Sequence, residues 1–265
     1  MNDLTTPINN DGGPESEPDR LRLELEQART ELEALRRRKS SLVAMTAHDL
    51  RTPLAIVQGF AQLLASELGP DTDPAVDEYI SNILAHSSSM EKMVENLVAL
   101  DQYERGEINL KAERGNLNVL LDEALAQVEG LSAIKTLTIS FRSAPAAAWA
   151  FVDVNQIGKA LYNLLSHTIK YARPGSLIEI DITRAGEFLK VRFFDTNRRL
   201  TTDMIARLFN LGDMNPDGQN ATGGMDMGLV LTRYIAEQHH GRIEATSRKG
   251  HGTTLDLFLP ADHEE

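Results

Sequence analysis

From Leu21 onward, apolar residues recur at alternating spacings of four and three: Leu21, Leu25, Ala28, Leu32 and Leu35. A seven-residue repeat of this kind commits a helix to a narrow seam that another helix must cover. Lys39, Leu42, Thr46 and Asp49 continue the register with more polar members, and the intervening positions are heavily charged, like the solvated faces of a two-stranded coiled coil. A second helical pattern runs from Asp77 to Tyr103, with Ile80, Ile83, Leu84, Met90, Met93, Val94, Leu97 and Leu100 at helical spacing. "ELGPDTDP", residues 67–74, separates the two patterns with two prolines and a glycine. Together they predict an antiparallel helical hairpin. Its wide apolar stripe needs further cover, which dimerisation into a four-helix bundle supplies.

After "YERGEINL" the texture changes. "NVLLDEALAQVEGL" and "QIGKALYNLLSHTIKYA" read as helices around a strand "LTISFRS"; "LIEIDITRAG" and "FLKVRFFDT" read as a strand pair; a helix "GLVLTRYIAEQHH" precedes closing strands "RIEATSRKG" and "TTLDLFLP". Paired strands with helices in separate runs predict a mixed sheet covered on one face. The expected fold class is therefore multidomain, α and α+β. An N-terminal coiled coil and helical hairpin form a dimeric four-helix bundle, and an α/β sandwich follows. The expected boundaries are a disordered, polar and acidic tail at 1–18, a coiled-coil helix at 19–40, a helical dimerisation domain at 41–106 and the α/β domain at 107–262.

With 42% hydrophobic residues in 265, the chain can bury a sizeable core. A formal charge of −12 repels a phosphate backbone and an anionic membrane alike, which argues against nucleic-acid partners. No apolar run approaches the ~20 residues that span a bilayer, and the first residues do not resemble a secretion signal, so the expected setting is cytoplasmic without membrane insertion. The absence of cysteine excludes disulfides, thiol catalysis and cysteine-ligated metals.

One stretch inside the first helix has the wrong composition for a plain stalk. "AHDLRTPL", residues 47–54, places a histidine, two charges and a proline in a row. With Leu25, Leu32, Lys39 and Thr46 at position a, Asp49 falls at d, on the seam, and His48 at c, facing solvent. A carboxylate packs badly on a seam, so the register is expected to slip here and bring both residues to an accessible face. An exposed imidazole is free to react; Asp49 can fix its tautomer or accept its proton. Thr52 shares the face four residues on, and Pro53 removes one backbone donor.

The longer stretch "LVAMTAHDLRTPLAIVQGFAQLL" resembles the phosphoacceptor helix of two-component sensor histidine kinases. The resemblance implies that His48 takes the γ-phosphoryl of ATP, that Asp49 assists as base, and that Thr52 supports dephosphorylation of a receiver domain. It extends over residues 40–260, where the second domain resembles the nucleotide-binding domain of kinases, gyrase and chaperones. In "NLLSHTIKYA", Asn163 matches a phosphate-site asparagine, and His167 stands where the family places a second, magnesium-holding one. A neutral imidazole ligates transition metals, whereas magnesium strongly prefers oxygen. Lys170 matches a position that reaches the phosphates and Tyr171 one that packs near the base; the alternative is a surface lysine and a half-buried aromatic. Asp195, ending "VRFFD", matches the aspartate that accepts from the adenine amino group, while Asn197 and Arg199 replace the two glycines that follow it.

In "GMDMGLVL", Gly224 and Gly228 match a glycine-rich phosphate segment and Asp226 replaces its central glycine. A carboxylate there brings bulk and like charge to a helix N-terminus that favours anions. "KGHGTTLDLFLP" keeps Gly250, Gly252 and Thr253 of a closing hairpin. "LFNLGDMNPDGQNATGG" matches the lid over the nucleotide, with Phe209 as its anchor, and His239 and His240 read as helix-end residues before Gly241.

The function implied is a homodimeric histidine kinase that autophosphorylates on His48 from magnesium and ATP and passes the phosphoryl to an aspartate of a response regulator receiver domain. An upstream sensor protein is a further possible partner. The alternative is a degenerate kinase with weak or absent ATP binding, acting as a dimeric scaffold, a phosphatase or a phosphotransfer protein. A serine-phosphorylating ATPase ranks last, because it leaves "AHDLRTPL" unexplained.

Overall fold

The computed structural model describes residues 17–68, 73–143, 148–196, 198–210, 226–248 and 250–262. The expected tail as far as residue 16, the lid from residue 211, Gly224 and Asn197 lie outside the described residues. The chain divides into two compact units, Met1–Leu84 and Ala85–Glu265, and the division falls within the second helix.

The expected hairpin is present as helices α1 (Glu17–Glu67) and α2 (Pro74–Glu104). Leu, Glu, Arg and Ala, all good helix formers, carry α1 unbroken through 51 residues, Pro53 included. Proline has no N–H to return to the carbonyl four residues back, so the Asp49 carbonyl loses its helical partner beside His48. The buried residues of α1 are Ser40, Ala47, Leu54 and Ala61, each seven apart. That line lies one position beyond the Lys39–Thr46 seam expected from the sequence. Small residues dominate it, so it suits close approach within the chain. Leu25, Leu32, Leu35 and Leu42, the seam residues proper, are instead 49–64% exposed. None of the described helices is long and apolar enough to cross a membrane.

The second unit is a mixed sheet with helices on one face. Strands β2 (Thr138–Arg142), β4 (Leu177–Ala185), β5 (Phe188–Asp195), β6 (Arg242–Arg248) and β7 (Gly252–Pro260) lie in the order β2-β4-β5-β7-β6. β2 runs parallel to β4 and every other pair is antiparallel. Period-two patterning explains which face is covered. Ile178, Ile180 and Ile182 alternate with less buried neighbours on β4, as Leu189, Val191 and Phe193 do on β5, and all six are buried. Cross-strand register sets Ile180 beside Phe193 and Phe193 beside Leu255. Burying each such side chain stabilises the fold by roughly 1.5–3 kcal/mol.

Helices α3 (Leu117–Ile134), α4 (Val154–Tyr171) and α6 (Met227–Gln238) supply the cover, with α4 packed between α3 and α6. A short helix α5 (Thr202–Arg207) and a two-stranded ribbon of β1 (Glu113–Asn116) and β3 (Trp149–Val152) complete the unit.

Asp153 begins α4. Its carboxylate accepts from the backbone amides of Asn155 and Gln156, as an N-cap does, and from that of Lys111. Burial alone would raise its pKa, but these three hydrogen bonds hold it below the usual carboxylate range. Its own N–H donates to Nε2 of buried His239 at the end of α6, which leaves Nδ1 to donate to the Ile235 carbonyl. His239 thus joins the end of one helix to the start of another, a role that its place before Gly241 did not announce.

Candidate functional site

In the first unit, the accessible face of α1 carries His48, Asp49 and Thr52, all exposed. The His48 side chain is 82% exposed and that of Asp49 66%. Nδ1 of His48 lies 3.4 Å from Oδ1 of Asp49. A carboxylate only accepts, so this contact favours the tautomer with the proton on Nδ1, and the lone pair of Nε2 then faces solvent. That is the form in which an imidazole attacks phosphorus.

The second unit brings several of the expected nucleotide residues together, in an arrangement that their separate readings did not contain. Asn163 and His167 are four apart on α4, on the side that meets α6. Nδ2 of Asn163 donates to the Gly228 carbonyl at 3.1 Å, tying α4 to the first turn of α6. His167 is 2% exposed, and both of its ring nitrogens are engaged: Nδ1 lies 2.6 Å from Oδ2 of Asp226, and Nε2 lies 2.7 Å from the guanidinium of Arg198. Arginine only donates, so Nε2 is the acceptor and Nδ1 carries the proton toward Asp226.

Asp226 is the N-cap of α6. Its Oδ1 accepts from the Gly228 amide at 3.2 Å. A Cβ on Gly228 would lie 3.1 Å from both the Asn163 amide and Oδ1 of Asp226, so glycine lets the three groups close up. Tyr171 lies alongside, its ring 4.7 Å from that of His167 and 4.3 Å from the Arg198 guanidinium, while Lys170 sets its ammonium 5.2 Å from the same ring.

Burial pushes the His167 pKa down, and the charges of Arg198 and Lys170 add to this against the pull of Asp226. Burial would raise Asp226, but the hydrogen bond from His167, with the charge of Lys170 and the hydrogen bond from the Leu229 amide, holds it below its ordinary value.

Arg198 is a site residue that the sequence pattern does not announce, because the motif position falls on its neighbour Arg199. Arg199 is exposed, whereas Arg198 turns inward. The β6–β7 hairpin holds it there. Thr253 donates from Oγ1 to the Arg198 carbonyl at 3.0 Å, and the Leu200 amide donates to Ser247 Oγ at 2.9 Å. Asp195 is buried at the end of β5 and its charge acts on Arg198. Phe209 packs against the core as an anchor would.

Comparison with known proteins fits both units. Residues 38–106 match the family model of the His Kinase A (phospho-acceptor) domain. Residues 152–263 match that of the histidine kinase-, DNA gyrase B- and HSP90-like ATPases. The chain belongs to the two-component sensor histidine kinase family.

Within that family it is 28% identical over 252 residues to the non-motile and phage-resistance protein of Caulobacter vibrioides, covering 91% of this chain and 29% of that protein. It is 30% identical over 238 residues to the sensor protein KdpD of Escherichia coli, covering 89% of this chain and 26% of that one. The chain spans 26–47% of the length of the first curated relatives it matches. The same fold occurs in full-length ShkA in complex with AMPPNP, with a TM-score of 0.65 at 17% identity over 84% of this chain and 46% of that one. It occurs again in the histidine kinase ThkA in complex with the response regulator protein TrrA, with a TM-score of 0.57 at 21% identity over 89% of this chain and 67% of that one.

Histidine kinase domains of this family are ATPase-like, yet the phosphate end of this site does not fit a magnesium ion. His167 has no ring lone pair left for a metal, and the group against its Nε2 is a guanidinium cation. No cluster of three or more His, Asp or Glu among the described residues could hold a metal. The α6 N-terminus, where free amides would receive phosphate oxygens, already holds a carboxylate. No chemical step can be derived through metal-bound ATP in this arrangement.

Proposed function

We propose that the chain works as a homodimer in a two-component pathway, with His48 carrying a phosphoryl group that it exchanges with the aspartate of a response regulator receiver domain in the cytoplasm. The observation that carries this reading is the exposed His48 imidazole with Asp49 at its Nδ1. In the exchange, Nε2 of His48 attacks the phosphorus of the aspartyl phosphate. A P–N bond forms, the P–O bond to the receiver carboxylate breaks, and the released carboxylate takes the electron pair. The ring becomes cationic as Nε2 bonds to phosphorus, and Asp49 stabilises it or accepts the Nδ1 proton. Thr52, four residues on, orients a water for hydrolysis of the receiver phosphate on this reading. The exposed Leu25, Leu32, Leu35 and Leu42 support a second copy as the cover for α1.

Autophosphorylation of His48 from ATP is the second reading. It is favoured by the family and by Asn163, Asp195 and Thr253 standing at matching positions. The Asp226–His167–Arg198 contacts weigh against it. Two labelling experiments separate the readings. Incubation with a phosphorylated receiver domain should label the native chain and not His48→Ala. Incubation with labelled ATP in magnesium or manganese should leave both unlabelled. Label from ATP that depends on His48 would establish the autokinase, and no label from either donor would refute both.

A further inference from the structure

A metal–phosphate site has two parts, a cation and the anionic oxygens it bridges. This domain supplies both from its own side chains. The anionic part is the Asp226 carboxylate, seated on the α6 N-terminus with Oδ1 3.2 Å from the Gly228 amide. The cationic part is the Arg198 guanidinium, which lies against the Tyr171 ring and whose backbone carbonyl accepts from Thr253. The buried His167 ring bridges them at 2.6 and 2.7 Å. One negative charge, one positive charge and a neutral imidazole leave the assembly without net charge, and each hydrogen-bonding atom of the ring has a partner.

We propose that Asp226, His167 and Arg198 form a built-in substitute for metal-bound phosphate, so that the second domain takes neither a divalent cation nor a nucleoside triphosphate at this end. Asp226 and His167 are then compensating changes. The His167–Asp226 contact joins residues 59 apart in sequence, one on α4 and one capping α6, and neither residue alone would complete it. A carboxylate without His167 would lose its one buried side-chain hydrogen bond and keep the Gly228 amide and the charges of Lys170 and Arg198. A histidine without Asp226 would bury an N–H with no acceptor. The inference concerns the second domain alone; it excludes ATP bound by that domain as the donor to His48 and does not depend on exchange with a receiver domain.

The test uses the full chain with histidine ring nitrogens labelled, the His167 signals being identified by their loss in His167→Asn. The expected spectrum at neutral pH shows the neutral tautomer with the proton on Nδ1 and Nε2 as acceptor. Titration with manganese ion should leave those signals unbroadened, and magnesium with ATP should not shift the melting temperature. The triple variant His167→Asn, Arg198→Ala, Asp226→Gly should acquire a melting shift that magnesium and ATP produce together. An Nε2–H tautomer, manganese broadening of His167, or a magnesium-dependent shift in the native chain would overturn the proposal. So would a folded triple variant that gains no response. If the triple variant does not fold, the three measurements on the native chain decide the matter, and none of them reads phosphoryl transfer at His48.

Discussion

At the scale of single residues, the second domain's site shows how two apparent defects become one interaction. His167 and Asp226 each read as the loss of a nucleotide contact in sequence, and only the packing of α4 on α6 reveals them as partners. The pair gives a pH dependence of definite sign. Burial holds folded His167 below its ordinary value of 6.5, so as pH falls the unfolded chain takes up a proton first. The network's contribution is complete above about pH 6.5 and is lost progressively below it; Asp226, held below 3.8, adds a further loss only in stronger acid. Urea unfolding at about pH 5.5 should therefore show lower stability than at about pH 7.5, and His167→Asn should flatten that difference. Asp226→Ala, which strands a buried imidazole N–H, should cost about 1–3 kcal/mol in the same measurement at neutral pH. Arg198 was illegible for a plain reason: it lies on a loop, where no periodicity tells which of two adjacent arginines turns inward.

Elements carry their own information, and it was uneven. The long helices and the strands β4 and β5 were legible because period and burial agree along them, over all eight residues of β5, while β7 was legible as an apolar run buried on both faces. β1 and β3, four residues each, and α5, six residues, are too short to show a period. The seam of α1 was read one position away from the line that the chain buries, because Leu21–Leu35 define the register for a partner while Ser40, Ala47 and Ala61 define it for intramolecular packing.

Two predictions belong to this scale. Asp153→Ala removes the acceptor for three backbone amides at the head of α4 and should cost about 2 kcal/mol by urea unfolding. Gly252 sits at φ +86° in the β6–β7 turn, and a Cβ there would lie 2.2 Å from the Asp195 carbonyl oxygen. Gly252→Ala should destabilise by more than about 2 kcal/mol. It should also disturb Arg198, through the neighbouring Thr253 hydrogen bond, which the His167 ring signals would report.

For the molecule as a whole, the division into two compact units separates two kinds of evidence. The first helix was legible in its local structure: "AHDLRTPL" is continuous helix with His48, Asp49 and Thr52 all exposed. The nucleotide half was legible as a fold, while its chemistry depended on contacts between distant segments. If dimerisation runs along the exposed leucines, Leu32→Lys with Leu35→Lys should shift the chain from dimer to monomer in analytical ultracentrifugation while leaving the α/β unit's melting transition unchanged. A dimer that persists through both changes would place the interface elsewhere on the chain.

The carboxylate on the α6 N-terminus also bears on what this domain can sense. A nucleotide in that position comes and goes with its concentration, so its occupancy follows the cell's supply. Asp226 is tethered by the backbone at an effective concentration that no change in the medium alters. On the proposal made above, the second domain's melting temperature should therefore be independent of the ratio of ATP to ADP around it.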